Sequence, residues 1–308
     1  MKPRQVFLHQ LLHSGFIPTY ADFPRDNRET VAGLPYISFA QLSRFIYNKY
    51  MSTQPLVSII TPSFNQARFL EATMRSVLEQ DYPNIEYIVI DGGSTDGSLE
   101  IIHQYADRLA YWQSRKDKGQ TDAINQGFGR ATGEILAWLN SDDILYPGAV
   151  KAAVQQLQDH PEVGMVYANC HWINAEGKVI GNFPAAQTDL HKLRRGYVHI
   201  PQQTAFFRAD LWRKVGPLDD TFYFAMDYDL WTRLATHAPL LYVTELWAAF
   251  RLHEGAKSIA EDDRCWPEML RVHYRDGGKK ISLMTLKYTI RKLVQPLWIR
   301  LRKRRLHG

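Results

Sequence analysis

Cysteine is nearly absent from this chain of 308 residues, which contains only Cys170 and Cys265. Two cysteines are too few for a disulfide framework, and these two are too isolated in the sequence to form a zinc site. We therefore expect both to be buried thiols of a protein that works in a reducing compartment.

Long apolar runs are absent too, since no stretch approaches the ~20 residues that a membrane-spanning helix needs. Near the start of the chain, His9, Gln10 and His13 interrupt any apolar segment that could act as an export signal. The sequence therefore predicts a cytoplasmic protein, whose contact with the inner face of the cell membrane would at most be peripheral.

Acidic residues are absent after Asp276, whereas ten Lys and Arg residues follow it. The whole chain has a formal net charge of +5, but without that tail 27 basic residues stand against 32 acidic ones. The body is thus mildly acidic and the tail strongly basic. A nucleic-acid-binding protein carries its positive charge on the folded surface that contacts the strand, so this distribution argues against a nucleic-acid partner.

Two common glycine-rich phosphate-binding motifs are also missing. No G-x-G-x-x-G follows the first predicted strand, which argues against a dinucleotide-binding enzyme. The pattern G-x-x-x-x-G-K-[ST] does not occur, which excludes a P-loop NTPase.

Short apolar runs that suit buried strands alternate with amphipathic stretches that suit helices, about 20–30 residues apart. This alternation is typical of a parallel sheet with helices on both faces. The first predicted strands are 56–60, 85–90, 109–112 and 134–139. Further along, the sequence predicts helices at 149–157, 210–215 and from 224, strands at 163–168, 240–244 and 247–252, and a hairpin at 172–183.

Three of these strands run into clusters of carboxylate, amide and hydroxyl groups. The clusters contain Ser63 and Asn65, then Asp91 and Asp96, then Asp142 and Asp143. Ligands of open α/β sheets bind outside the carboxyl ends of the strands, so the clusters predict a nucleotide pocket. The oxygens of Asn-Ser-Asp-Asp at 140–143 suit Mg²⁺ or Mn²⁺ that carries a phosphate. A plain turn explains that segment equally well on its own, because these residues are also common turn formers.

Five stretches carry a more specific pattern: VSIITPSFN (57–65), VIDGGSTDG (89–97), KGQTDAINQG (118–127), LNSDD (139–143) and AMDYDL (225–230). In this order and spacing they resemble the family 2 glycosyltransferases, inverting enzymes of the GT-A fold that use nucleotide-sugars. The resemblance implies an α/β fold with a mostly parallel, Rossmann-like central sheet between helices. The resemblance covers about two thirds of the chain, so the sequence predicts a glycosyltransferase domain at 55–258 between an N-terminal extension at 1–54 and a basic helical tail at 259–308, both of which lie outside the resemblance.

The resemblance implies a nucleotide site at the ends of the first strands. Asp91 is expected to accept a hydrogen bond from the base, in the first place from uracil N3–H. Asp96 is expected to support the same turn, and a local Asx turn accounts for it equally well. The segment that begins at Lys118 is expected to close over base, ribose or phosphate. The other implied nucleotide-binding residues are Thr61, Pro62, Ser63, Asn65, Gly119, Gln120, Asp122 and Ser141.

Asp142 lies where the family has its Asp-x-Asp motif, so the resemblance implies that Asp142 binds the Mn²⁺ or Mg²⁺ ion that bridges the diphosphate. The first Asp of the motif is Asn140 here, which can accept a hydrogen bond but brings no charge. His253 is a candidate further metal ligand, although a lone His at a strand end is often structural. The residues expected to contact the donor sugar or diphosphate are Asn140, Asp143 and Lys257.

Asp227 stands at the position of the family's catalytic base, and Met226 replaces the acid that usually precedes it. One carboxylate suffices, because the acceptor hydroxyl loses one proton as it attacks the anomeric carbon opposite the leaving diphosphate. Such general-base assistance accelerates a reaction by ~10²–10⁴-fold. Asp229 is expected to cap the helix or form a salt bridge. His199 and Gln203 are expected to border the acceptor site, and either also fits a structural role.

In the basic tail, Leu283, Leu286 and Ile290 begin a series of apolar residues at helical spacing. A basic amphipathic helix that includes a Trp, here Trp298, is typical of a helix on an anionic membrane surface. Such a helix suits an enzyme whose acceptor is a lipid-linked sugar. A helix that packs on the domain and has a solvated basic end fits the same pattern.

The predicted function is metal-dependent transfer of a sugar, with inversion, from a nucleotide-sugar to a hydroxyl of a glycan or lipid-linked acceptor. A UDP-sugar donor and a role in cell-surface polysaccharide or glycolipid synthesis are favoured. A sugar-nucleotide pyrophosphorylase is an alternative, but it needs a glycine-rich basic loop where this chain has 61–65. A non-catalytic nucleotide-sugar or glycan-binding module fits Asn140 and Met226, whereas the presence of Asp142 and Asp227 argues against it.

Overall fold

The computed structural model describes residues 54–255, 265–290 and 292. The predicted N-terminal extension therefore lies outside the described residues except for Gln54, as does most of the basic end of the tail. The domain boundaries at 54 and 258 stay predictions.

The described elements alternate between strand and helix along the first part of the chain, as predicted. The strands are β1 (Val57–Ser63), β2 (Ile85–Asp91), β3 (Tyr111–Ser114), β4 (Ile135–Trp138), β5 (Ile144–Leu145), β6 (Met165–Ile173), β7 (Val179–Asn182), β8 (Phe206–Arg208) and β9 (Leu240–Arg251). The helices are α1 (Ala67–Leu78), α2 (Ser98–Gln104), α3 (Gln120–Arg130), α4 (Ala149–Asp159), α5 (Leu190–Arg194), α6 (Ala209–Val215), α7 (Met226–Ala235) and α8 (Cys265–Arg275). Residues 283–290 are also helical.

Within the described residues, nine strands form one sheet in the order β3-β2-β1-β4-β8-β6-β9-β5, and β7 pairs with β6. Strands β3, β2, β1 and β4 are all parallel. Beyond β4 the sheet is mixed, because β8 runs antiparallel to both neighbours whereas β9 is parallel to β6. The predicted hairpin is confirmed by the antiparallel pairing of β6 with β7. The carboxyl ends of β1, β2 and β4 consequently meet at one edge.

The hydrophobic core lies on both faces of the sheet. Ile59 packs in one cluster with Leu70 and Met74 of α1, whereas Ile60 packs in the other with Phe128 of α3. Successive residues of a strand point to opposite faces, so an uninterrupted apolar strand such as β1 must be covered on both sides. The whole of β1 is buried, as this arrangement requires.

Three details differ from the sequence-based predictions. Strand β1 extends beyond residue 60 to Ser63. Its pairing with β4 ends at Ile60, so Pro62, which has no N–H to donate, pairs with β2 alone. The two short strands predicted at 240–252 are one strand, β9, whose pairing with β6 is irregular near Asn169. Cys170 is buried as expected, but Cys265 at the start of α8 is partly exposed.

The part of the chain that the structure describes contains no helix long and apolar enough to cross a membrane.

Candidate functional site

A cavity of about 900 Å³ opens at the carboxyl ends of β1, β2 and β4. Segments that lie far apart in the sequence contribute its walls, including the end of β1, the loop before α3, the loop after β4 and the start of α7. The predicted site residues that line it are Pro62, Ser63, Gly119, Gln120, Asn140, Ser141, Asp142, Gln203 and Asp227. The strand-end clusters and the candidate base therefore share one cavity.

The loops after β1 and β2 hold each other in place. Asn65 adopts a φ of 51°, its backbone N–H donates to Ser94 Oγ at 2.7 Å, and its side chain accepts from Thr95 N at 3.0 Å. Asp96 accepts from Ala67 N at the start of α1 and from both N and Oγ of Ser98. Although Asp96 is exposed, desolvation by its neighbours alone would raise its pKa, but these hydrogen bonds outweigh it and lower the pKa. Asn65 and Asp96 thus shape the edge of the cavity rather than line it.

Asp91 does not line the cavity and has no exposed surface. Its Oδ2 accepts hydrogen bonds from Gly93 N at 3.0 Å, Ser94 N at 2.9 Å and Ser114 Oγ at 2.6 Å. Its Oδ1 accepts from Ser94 Oγ at 2.5 Å. This position differs from the expected one against the base, because the carboxylate is surrounded by donors from the loop after β2 and from the end of β3. Thr61 is buried likewise, with its hydroxyl 2.9 Å from that of Tyr87.

The loop before α3 is held by two carboxylates. Asp117 Oδ1 accepts from Gly119 N at 2.7 Å, and Asp122 Oδ2 accepts from Lys118 N at 3.1 Å. Burial, followed by the charges of Asp122 and Asp91, raises the pKa of Asp117 above its ordinary value, against the hydrogen bond from Gly119. Asp117 lines the cavity whereas Asp122 does not.

Behind the loop that follows β4 lies a chain of carboxamide groups. Gln120 Nε2 donates to Asn140 Oδ1 at 2.7 Å, and Asn140 Nδ2 donates to Gln202 Oε1 at 3.2 Å. Gln202 in turn donates to the backbone carbonyl of Trp138 at 2.7 Å. Because Asn140 is engaged as donor and acceptor, it fixes the loop in a way that a carboxylate, which only accepts, could not.

Asp142 and Asp143 are adjacent but face different surroundings. Asp142 lines the cavity, whereas Asp143 has no exposed surface and accepts from Arg251 N and Gln203 Nε2, both at 2.8 Å. Burial, followed by the charge of Asp142, raises the pKa of Asp143 well above its ordinary value. Asp143 therefore does not reach the position expected of a donor contact.

Asp142 lies next to His253, with Oδ2 of Asp142 and Nε2 of His253 3.1 Å apart. Only 17% and 11% of the two side chains are exposed. The ring of His253 packs against Phe69 of α1, with 4.6 Å between the ring centroids. Arg251 holds the other side of this loop, since its Nε donates to the carbonyl of Asp142 at 2.7 Å.

Asp227 lies in the first turn of α7 and lines the cavity. The segment before it is held by Glu268 of α8, whose carboxylate accepts from the backbone N–H groups of Tyr223, Phe224 and Ala225 at 2.7–3.0 Å. Glu268 thus positions the start of α7. The predicted salt bridge of Asp229 is confirmed, since this buried carboxylate pairs with Arg233 and Arg275.

The expected acceptor residues differ in position. Gln203 lines the cavity and donates to Asp143, whereas His199 does not line it and donates through Nδ1 to the carbonyl of Pro184 at 2.8 Å. The neighbours of His199, which are Val198 and Ile200, line the cavity instead. Lys257 lies outside the described residues.

Several lining residues escaped the sequence-based reasoning. Phe64 lies inside the recognised stretch 57–65, and Asp117 directly precedes the stretch 118–127. These positions could have marked both as lining residues. Glu268 gave no such signal, because only folding brings it to the segment 223–225, more than 40 residues earlier in the chain. Other lining residues that were missed are Lys116, Trp138, Phe183, Tyr223, Phe224 and Phe250.

Comparison with solved structures identifies the fold as GT-A. S. aureus TarS 1–349 in complex with UDP-GlcNAc superimposes with a TM-score of 0.59 at 17% identity, over 71% of this chain and 65% of that one. The mannosyltransferase PcManGT from Pyrobaculum calidifontis, in complex with GDP-Man and Mn²⁺, gives a TM-score of 0.53 at 17% identity, over 86% and 92% of the two chains. The fold is therefore that of the GT-A glycosyltransferases.

Comparison of sequences shows the family. Residues 58–226 match the family model of glycosyl transferase family 2, and the chain belongs to this family. An uncharacterised glycosyltransferase of Mycobacterium tuberculosis is 36% identical over 240 residues, which cover 75% of this chain and 90% of that protein. An uncharacterised glycosyltransferase of Rickettsia typhi is 28% identical over 215 residues, which cover 67% of each. The protein is thus a glycosyltransferase, and neither the pyrophosphorylase nor the binding-module alternative is needed.

Proposed function

We propose that this glycosyltransferase moves a sugar from a nucleotide-sugar to an acceptor hydroxyl, with inversion at the anomeric carbon and with the help of a divalent cation. The observation that carries the proposal is that Asp142 and Asp227 line one cavity although 85 positions separate them in the sequence. One carboxylate suits a cation and diphosphate, and the other suits a proton acceptor.

The donor nucleotide is assigned to the part of the cavity next to β1. Ser63 lines this part, and its buried hydroxyl has no hydrogen-bond partner within the described residues. A buried polar group without a partner is costly unless a ligand satisfies it. Two structural neighbours were solved with UDP-GlcNAc and with GDP-Man, which supports a nucleotide-sugar donor. A UDP-sugar is our first choice, on the resemblance of the motifs.

The residues around Asp142 fit a divalent cation of the Mn²⁺ or Mg²⁺ type. Asp142 Oδ2 and His253 Nε2 lie 3.1 Å apart, and carboxylate and imidazole are both ordinary ligands of Mn²⁺. No group of three or more His, Cys, Asp or Glu side chains suited to a metal occurs among the described residues, so the diphosphate and water would complete the coordination. Such a cation, when bound, offsets the charge that develops on the departing diphosphate.

Asp227 acts as the base in this proposal. Its carboxylate takes the proton of the acceptor hydroxyl while the acceptor oxygen bonds to the anomeric carbon, and the bond to the diphosphate oxygen breaks on the opposite face. A single displacement inverts the anomeric centre. Gln203 is assigned to the acceptor end of the cavity, where Val198 and Ile200 form an apolar wall. His199, which points to Pro184, is assigned to holding that wall.

The cellular setting that we propose is polysaccharide or glycolipid synthesis at the cytoplasmic face of the cell membrane. Ile281, Leu286 and Ile290 of the tail are 95%, 54% and 51% exposed, and Lys279 and Lys280 beside them are exposed as well. An apolar surface flanked by lysines suits an anionic membrane that carries a lipid-linked acceptor.

Donor turnover tests the proposed function. A thermal-shift screen of nucleotide-sugars with Mn²⁺ selects the donor, because a ligand that binds the native state raises its stability. We expect Asp227→Asn to lower the rate of nucleoside diphosphate release by ~10²–10⁴-fold with little change in donor affinity. We expect Asp142→Ala to lower the rate at least ~100-fold and to weaken donor binding in the presence of Mn²⁺.

Asp107→Asn is the matched control, since Asp107 is exposed and does not line the cavity. This variant should turn over donor at the wild-type rate. Full turnover by Asp227→Asn would remove Asp227 from the role of base. A wild-type protein that binds no nucleotide-sugar would refute the proposal as a whole.

A further inference from the structure

Gly92 lines the cavity directly after Asp91, at the end of β2. A β-carbon at Gly92 would lie 3.1 and 3.3 Å from the two carboxylate oxygens of Asp117 and 3.2 Å from the ring of Phe64. The space that a side chain at residue 92 would occupy is therefore filled by the carboxylate of Asp117, which belongs to the loop before α3. Both Asp117 and Phe64 line the cavity.

The two oxygens of Asp117 differ in their partners. Oδ1 accepts from the backbone N–H of Gly119 at 2.7 Å, which fixes the orientation of the carboxylate. Among the described residues no other residue donates a hydrogen bond to Oδ2, although this carboxyl group is partly buried. An oriented carboxylate that lines a cavity and keeps one oxygen available is suited to accept a hydrogen bond from a ligand N–H.

Phe64 adds a flat apolar surface to the same place. Its side chain is 61% exposed, which is unusual for a phenylalanine that directly follows a fully buried strand. Exposed aromatic rings serve as stacking platforms for nucleobases, because every base presents a π-face. A base stacked on Phe64 would present its hydrogen-bonding edge to a neighbour in its own plane.

Asp91 cannot serve this purpose in the described structure. All four of its hydrogen bonds come from Gly93, Ser94 and Ser114, and its side chain has no exposed surface. A base N–H could reach Asp91 only if the turn that these bonds hold were opened.

We infer that Asp117 is the residue that selects the nucleobase of the donor, by accepting a ring N–H from a base that stacks on Phe64. This inference rests on the proposed use of a nucleotide-sugar and deepens it. Uracil and guanine both present a ring N–H at the centre of their pairing edge, which a carboxylate accepts. Cytosine and adenine present a ring-nitrogen lone pair there, which a carboxylate repels. Asp117 therefore selects uridine or guanosine donors over cytidine and adenosine donors.

The affinities of UDP, GDP, CDP and ADP, measured by calorimetry in the presence of Mn²⁺, test the inference. The wild-type protein should bind UDP or GDP at least ~10-fold more tightly than CDP or ADP. Asp117→Asn keeps the shape of the side chain, but its amide can donate to cytosine N3 and accept from the exocyclic amine. This variant should shift the ratio of UDP to CDP affinity by at least ~10-fold toward CDP.

Two further variants make the test independent of a single substitution. In Gly92→Ala the added methyl group crowds Asp117 and Phe64 from the end of β2. This variant should also shift the ratio of UDP to CDP affinity toward CDP. Asp91→Asn should lower the thermal unfolding temperature and leave the ratio of UDP to CDP affinity as in the wild type. Thermal unfolding of each variant without ligand confirms that it is folded.

The outcomes separate this inference from the proposed function. If the wild type binds no nucleotide, the proposed function fails and the inference fails with it. If the wild type binds UDP or GDP and folded Asp117→Asn keeps the wild-type ratio, only the inference is overturned. A shift of the ratio in Asp91→Asn but not in Asp117→Asn would return base selection to Asp91.

Discussion

Carboxylates at neighbouring strand ends play different parts in this protein, although they look alike in the sequence. Asp142 lines the cavity, whereas the next residue, Asp143, is fully buried behind it. Asn140 to Asp143 form a turn, in which Asp143 N donates to the carbonyl of Asn140 at 3.1 Å, so the two neighbouring side chains leave the backbone in different directions. The sequence placed the cluster at the site, but only the fold shows which member faces the ligand.

Asp96 illustrates a carboxylate whose contribution is structural and can be measured by its pH dependence. It accepts hydrogen bonds from the backbone N–H groups of Ala67 and Ser98, the first residues of α1 and α2. The pKa of Asp96 is lowered from its ordinary value of 3.8. Since the folded-state pKa is below the unfolded one, the charged form stabilises the fold above about pH 4, and this contribution is lost as pH falls further. We expect Asp96→Ala to lower the free energy of unfolding by ~1 kcal/mol at pH 7.

Urea denaturation of wild type and Asp96→Ala checks this expectation. The difference between them should persist from pH 7 to about pH 4 and shrink below pH 3.8. Asp220→Ala, which changes an exposed turn residue, should stay within ~0.5 kcal/mol of the wild type. A difference for Asp96→Ala that grows as the pH falls would contradict the assigned role.

At the scale of elements, helix α3 carries the loop of Asp117 and Gln120 and packs closely on β1. A β-carbon at Gly127 would lie 2.5 Å from Ile60 Cγ2, whereas one at Gly129 on the same helix would meet nothing within 4 Å. We expect Gly127→Ala to destabilise the protein by ~1–3 kcal/mol, because the helix must move away from the sheet. Gly129→Ala should be neutral or stabilise by up to ~1 kcal/mol, since alanine favours the helix.

Chemical denaturation measures both glycine variants under one set of conditions. Equal unfolding free energies for the two would show that the contact between α3 and β1 is looser than described. The donor affinity of Gly127→Ala should fall as well, because the loop before α3 moves with the helix.

Helix α8 positions the candidate base through Glu268, which holds the backbone just before α7. We expect Glu268→Ala to lower kcat by ~10–100-fold through misplacement of Asp227, with a smaller change in the KM for the donor. Glu268→Gln keeps an oxygen that accepts from these N–H groups and should recover part of the activity. Unchanged kcat in a folded Glu268→Ala protein would rule out this positioning role.

The elements themselves were predictable to a large extent from the sequence. The parallel strands β1, β2 and β4 follow directly from short apolar runs at regular spacing, because a strand buried on both faces must be apolar throughout. The edge strand β3 is only partly buried, and it begins two residues later than the predicted 109. The order of the later strands was not predictable, since β8 pairs with β4 and β6 through contacts between residues distant in the sequence. The same limit explains why Glu268 was missed.

At the scale of the whole molecule, the proposed donor and acceptor ends of the cavity come from different parts of the chain. In the proposal, lining residues before about 145 form the nucleotide end, whereas lining residues within 198–227 form the acceptor wall and supply the base. The motifs identified Asp142 and Asp227, which stand at a strand end and a helix start, but not the apolar wall of Val198 and Ile200. Strands β8, β6 and β9 lie between β4 and β5 in the sheet, so it is the fold that brings the two sets of residues to one cavity.

Membrane binding is the second property of the whole molecule that we predict. Wild-type protein should co-sediment with phosphatidylglycerol vesicles and not with phosphatidylcholine vesicles. Changing Ile281, Leu286 and Ile290 together to Ser should weaken the binding by at least ~10-fold. The matched control changes Val179 and Ile180, exposed apolar residues of β7, to Ser and should bind as the wild type does. No sedimentation of wild type at low salt would dismiss the membrane proposal.

A crystal structure with bound UDP and Mn²⁺ tests most directly whether the cavity is the place of sugar transfer. The cation and the diphosphate should lie against Asp142 and His253. The base should stack on Phe64 with its edge toward Asp117. The β-phosphate, which carries the sugar in the donor, should face Asp227. Nucleotide bound on another surface, or a cation held away from Asp142, would contradict the account.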